Sequence, residues 1–194
     1  FAVVFEHLKT NLVVARGFDD KIGAFVVADA LRIISSKKVQ VAVYGVSTVQ
    51  EEIGIRGART SAYGISPDVG IAVDVTHATD YPASDPKKTG EIKLGKGPAI
   101  SRGPNINPVV YDRLVSAAKD KKIPYQIEAA PGATGTDANV IQVNKSGVAA
   151  GLVSVPNRYM HTPIEVVSLA DIENTAKLLA EFTLRLTPNV SFIP

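Results

Sequence analysis

Asp19, Glu51, Glu52, Asp74 and His161 are the side chains of this sequence best placed to do chemistry. Carboxylates joined by one imidazole, in a chain with no cysteine to supply a thiolate, make a donor set suited to a divalent ion such as zinc, cobalt or manganese. Each also has a plainer use. Asp19-Asp20 stands just ahead of a helical pattern, where acids cap and complement the first turn. Glu51-Glu52 in a loop can be a solvated pair. His161, in Asn157-Arg-Tyr-Met-His-Thr-Pro163, can be a surface-loop histidine, the reading given also to His7 and His77. Asp74 differs, because Gly70-Ile-Ala-Val-Asp-Val-Thr76 sets it in an apolar run where an unpartnered charge costs several kcal/mol.

These residues must be positioned by a scaffold, and its pattern is α/β. Short β-branched runs alternate with helical periodicity almost to the end of the chain. Strands are expected at Leu12 to Ala15, Val39 to Val46, Val69 to Val75, Tyr125 to Glu128 and Gly151 to Val155. Several are apolar on both faces, as central strands covered by helices should be. Helices are expected at Lys21 to Ile34, Pro108 to Lys119 and Leu169 to Leu186, the last begun by Ser168 with Asp171 as a capping-box variant. The Pro-, Gly-, Ser- and Lys-rich stretch Thr79 to Asn107 reads as a long irregular connection. The expected architecture is a three-layer α/β/α sandwich with a largely parallel central sheet. Asp19, the two glutamates, Asp74 and His161 each fall at or just past the end of a strand, the edge at which open parallel sheets bind ligands.

Composition narrows the function further. The 194 residues suffice for one domain, and 45% hydrophobic with 21% charged residues is the balance of a globular protein. A net charge of +2, with no long run of like charge, gives no electrostatic case for nucleic acid or an anionic membrane. No stretch approaches the roughly 18 apolar residues that span a bilayer, and with no cysteine the expected setting is cytoplasmic. Gly132-Ala-Thr-Gly-Thr-Asp-Ala138 lacks the Gly-Lys-Ser/Thr of a phosphate loop, and no Gly-x-Ser-x-Gly elbow is present. The only methionine is Met160, and the chain opens at Phe1 in a strand-like run to Phe5, so an N-terminal part of a longer protein is expected to be missing.

The ordered set resembles the M42 metallo-aminopeptidases, the glutamyl aminopeptidase and tetrahedral aminopeptidase group. The phrases that carry the resemblance run over nearly the whole chain: Ala15-Arg-Gly-Phe-Asp-Asp-Lys-Ile-Gly23, Ser47-Thr-Val-Gln-Glu-Glu-Ile-Gly54, Ile71-Ala-Val-Asp-Val-Thr76, Gly95-Lys-Gly-Pro-Ala-Ile-Ser-Arg-Gly103, Gly135-Thr-Asp-Ala138 and Ser154-Val-Pro-Asn-Arg-Tyr-Met-His-Thr-Pro163. The resemblance implies that Asp19 bridges two divalent ions, zinc or cobalt. Glu52 and His161 complete one ion, Asp74 belongs to the other, and Glu51 is the catalytic acid/base. It implies peptide substrates, release of N-terminal amino acids, and a homo-oligomer when full length.

The sequence also departs from the family pattern. A His-x-Asp segment and an inserted β-rich assembly domain, which in the family precede the bridging aspartate, are not found in it. Residues 1–194 then read as the C-terminal major part of a catalytic domain. The second ion lacks its histidine, so the expectation is a chain that binds at most one ion firmly and is inactive or nearly so. The competing expectation is a non-catalytic metal-binding or assembly module that keeps the fold. Glycoside hydrolysis by paired carboxylates is a weaker alternative, since the side chains of adjacent Glu51 and Glu52 diverge in an extended loop.

Overall fold

The computed structural model describes residues 5–82 and 84–194, so the first four residues of the strand-like run at the N-terminus lie outside it. In chain order the elements are β1 (Glu6–His7), β2 (Leu12–Ala15), α1 (Phe18–Ile34), α2 (Arg56–Ile65), β3 (Val69–His77), α3 (Pro86–Thr89), β4 (Ala99–Arg102), α4 (Pro108–Lys121), β5 (Gln126–Ala129), α5 (Ala138–Ile141), β6 (Ala149–Arg158), β7 (Glu165–Ser168) and α6 (Leu169–Leu184).

β6 is the spine. Its residues from Ala150 to Asn157 are all buried, as expected of a strand covered on both faces. On one side it pairs in parallel with β3, from Val69 opposite Ala149 to His77 opposite Asn157. On the other it pairs antiparallel with β4 through Val153 and Ser154 and with β7 through Asn157 and Arg158. β7 continues through antiparallel β2 to β1, and β4 continues to parallel β5. The layered α/β plan is the expected one, with a mixed sheet whose longest ladder is parallel.

Helices cover both faces. Ile22, Val26, Ala30 and Ile34 recur every four residues along α1 and are buried, and the first three join Leu114 of α4 and Leu178 of α6 against Val153 and Val155. On the opposite face Ala138 of α5 packs with Ala72, Ile106 and Leu152. The alternation of Leu152 with Val153 is the strand period of two dividing the cores. α4 starts where expected because Asn107 Oδ1 accepts the N–H groups of Val109 and Val110, at 2.9 and 3.1 Å, ahead of Pro108.

Four expectations need correction. Val39 to Val46 forms no strand. β-branched residues make a strand only where a neighbour offers a ladder, and this segment lies across a cleft of about 1490 Å³ from β3, with Val43 and Tyr44 left exposed. β3 is accordingly an edge strand, hydrogen-bonded only to β6 among the described strands. Thr79 to Asn107 holds α3 and β4, and α2 was not expected. Ser168 occupies the N-cap of α6 without a side-chain capping bond. Asp171, instead of completing a capping box, accepts the N–H groups of Gly95 and Gly97, each at 2.7 Å.

Candidate metal centre

The turn from β2 into α1 presents Asp19 and Asp20, both of which depart from helical φ and ψ. Asp20 folds back so that its Oδ1 accepts the Gly23 N–H at 3.0 Å. A Cβ at position 23 would stand 2.1 Å from Asp20 Oδ2, so a side chain there would displace that carboxylate. Glu51 and Glu52 sit in a tight turn in which the Glu51 carbonyl accepts the N–H groups of Gly54 and Ile55. Thr48 anchors that turn by donating its hydroxyl to Asp137 Oδ2 at 2.7 Å. Asp74 lies in β3 between Val73 and Val75 and accepts the Val75 N–H at 2.7 Å. His161 follows β6 on a loop in which Tyr159 and His161 both take left-handed φ, 61° and 62°. Such φ values are uncommon outside glycine. Met160 between them packs on the core, and the imidazole of His161 turns outward.

The elements bring these residues together. His161 Nε2 is 3.0 Å from Asp19 Oδ2 and 3.7 Å from Glu52 Oε2. Asp19, Glu52 and His161 each place one donor atom within 4.8 Å of the others, and so do Asp19, Asp20 and Asp74. Asp19 belongs to both groups. Asp20, Glu51, Glu52, Asp74 and Asp137 also line the cleft beside β3.

The electrostatics are those of crowded acids short of positive charge. Burial pushes Asp20 up to about 9, with the Asp74 carboxylate adding to it. Burial likewise carries Asp74 up to about 7 against the pull of the Val75 N–H, with Glu51 and Asp19 contributing. Asp19 is raised by burial and by Glu52, partly offset by His161. Glu51 is raised by burial and by its neighbour Asp137. Asp137 is raised by burial in spite of the Thr48 hydroxyl, and its buried Oδ1 has no hydrogen-bond partner among the described residues. A divalent cation answers this arrangement, because mutual repulsion and desolvation both fall when it binds. Imidazole with carboxylates is a donor set that zinc and cobalt accept.

Each residue singled out from the sequence therefore lies in one neighbourhood. Asp20 and Asp137 were not singled out: Asp20 reads as the second half of a capping pair and Asp137 as part of a glycine-rich loop. His77 is not isolated either, since its ring meets that of His161 edge-on at 6.4 Å.

A family model described as M42 glutamyl aminopeptidase matches residues 1–178. The chain belongs to the M42 peptidase family. This M42 chain is 41% identical over 196 residues to the lysyl aminopeptidase of Pyrococcus furiosus, a match that covers 100% of the chain and 54% of that protein. Its fold is similar to that of an aminopeptidase from the archaeon Desulfurococcus kamchatkensis, with a TM-score of 0.89 at 44% identity over 97% of this chain and 53% of the other. It is similar also to PhTET1-12s, described as a dodecamer, with a TM-score of 0.82 at 30% identity over 96% of this chain and 55% of that one. The M42 chain spans about half the length of these relatives.

Proposed function

We propose that the intact protein is a metal-dependent aminopeptidase releasing N-terminal amino acids from peptides, and that residues 1–194 form the C-terminal major part of its catalytic domain. The observation that carries this is the meeting of Asp19, Glu52 and His161 within 4.8 Å. Membership of the M42 family supports it. Asp19, shared by both donor groups, suits the bridging position between two divalent ions, zinc or cobalt. Glu52 and His161 would hold one ion, and Asp74 would belong to the other. When bound, such ions polarise a carbonyl and lower the pKa of water.

Glu51 is the acid/base. Its carboxylate accepts a proton from the attacking water and returns it to the nitrogen of the leaving amine, a cycle suited to a carboxyl whose affinity for protons is raised. The dodecameric relative supports a homo-oligomer for the intact protein. A cytoplasmic setting is part of the same proposal; separately, no helix among the described residues is long and apolar enough to cross a membrane.

A non-catalytic metal-binding or assembly module is the second reading. It is favoured by the group of Asp19, Asp20 and Asp74, which offers carboxylates and no imidazole. Turnover of an aminoacyl anilide, paired with elemental analysis, separates the two. The 194-residue chain should bind at most one ion firmly and show little or no turnover, whereas a polypeptide extended to the relatives' length should turn over. In that longer form Glu51→Gln should abolish turnover with metal retained. Loss of metal in Glu51→Gln would reverse the roles of the two glutamates, and an inactive full-length form would favour the module.

A further inference from the structure

Glu165 is a buried carboxylate that the chemistry above does not use. It opens β7 opposite Ala15 of β2 and is 2% exposed. A carboxylate at that depth costs several kcal/mol unless its oxygens are satisfied, and no ion pair reaches Glu165 among the described residues. Its partners are backbone N–H groups. Phe18 donates to Oε2 at 2.5 Å, Asp19 donates to the same oxygen at 3.2 Å, and His161 donates to Oε1 at 3.3 Å.

The need for such an acceptor is local. α1 begins after Gly17, which is left-handed at φ 71° and has no side chain with which to cap the exposed N–H groups. Glu165 supplies that acceptor from 147 positions further along the chain. With its other oxygen it holds the loop in which His161 keeps a left-handed backbone. One carboxylate thus spans the β2–α1 turn and the β6–β7 loop, whose side chains Asp19 and His161 approach to 3.0 Å.

We propose that Glu165 is a positioning residue for the metal centre: it ties the backbones of Asp19 and His161 together and so sets the separation of two donor atoms before an ion arrives. Both of its oxygens are engaged by N–H groups, so it acts through Asp19 and His161 and is not itself a donor to the ion. This inference rests on the assignment of those two residues as ligands. Residues that orient ligands in this way are worth about 10- to 100-fold in metal affinity.

The test is a cobalt(II) titration of the 194-residue chain, read by visible absorption, for the wild type, Glu165→Gln and Asp171→Asn. Glutamine keeps the volume and one acceptor oxygen but turns an NH2 toward backbone donors. Asp171→Asn disturbs a comparable buried carboxylate, bonded to Gly95 and Gly97 and outside the donor groups, and controls for general loss of stability. The dissociation constant should rise about 10- to 100-fold in Glu165→Gln and change little in Asp171→Asn. Equal affinities for wild type and Glu165→Gln, or an equal rise in both variants, would overturn the positioning role and leave the ligand assignment standing. If the wild type binds no cobalt, the ligand assignment itself fails. If that happens, or if Glu165→Gln does not fold, amide hydrogen exchange of the metal-free wild type decides. The N–H groups of Asp19 and His161 should be protected there, and exchange of both at the rate of an open loop would refute the clamp.

Discussion

Stripped of divalent ions, the chain should lose stability as the pH rises from about 4 through neutrality, because its folded state holds protons that the unfolded chain releases. Burial pushes the Asp74 carboxyl up to about 7 in the fold, from an ordinary value of 3.8. A carboxyl raised in the folded state contributes its full stabilisation below the unfolded value and loses it as the pH climbs to the folded one. A displacement of that size is worth about 4 kcal/mol, a large part of the roughly 5–15 kcal/mol that holds a domain together. Asp20, at about 9, extends the decline to higher pH; part of its displacement is the charge of Asp74, so the two are not added. Asp80 does not oppose the trend in this window: burial would raise it, but Arg158 and the Leu94 N–H hold it below the usual value. Urea unfolding in a chelator, at intervals from about pH 5 to about pH 8, measures the slope. Asp74→Asn should remove Asp74's share of it and leave the share that the burial of Asp20 carries, and added zinc or cobalt should restore stability most strongly at the upper end, where the carboxylates are free to bind. A metal-free free energy of unfolding that stays level or increases over that range would refute the account of crowded, desolvated acids.

Two packing predictions use the same unfolding assay. Asp171→Ala strands the buried N–H groups that it accepts from Gly95 and Gly97 and should cost about 3 kcal/mol; a loss below about 1 kcal/mol would mean that the loop finds other acceptors. Leu114→Ala empties a fully buried position of α4 and should cost about 2–5 kcal/mol with an unchanged urea slope, whereas a lower slope would show that the helix has detached rather than left a void.

The long elements were legible in the sequence because each announces its own period. α1 repeats apolar residues every four positions, α4 carries Asn107-Pro108 as a start signal, and β6 is apolar throughout. What failed was information held between segments. Val39 to Val46 has every local mark of a strand and lacks only a neighbour. α2, Arg-Gly-Ala-Arg-Thr-Ser-Ala-Tyr-Gly-Ile, buries only Gly57, Ala58 and Ala62 and so shows no apolar stripe. β4 is four residues long, inside a stretch rich in turn formers. The site divides the same way. Asp74 stood out because an acid in an apolar run is costly wherever the run goes. Asp137 gave no such warning, since its contact with Thr48 joins residues 89 positions apart. Glu165 looks like an ordinary strand-end acid until Phe18 and Asp19 are seen to lie against it.

The free margin of β3 has a practical consequence. Natural sheets commonly guard an unpaired margin with lysine or proline, and Val69-Gly-Ile-Ala-Val73 contains neither. Its unclaimed peptide groups form a template that another extended segment can read. In concentrated solution this rim is the place where the fold offers an extended segment of another molecule a ladder to join, and a net charge of only +2 opposes such an approach weakly.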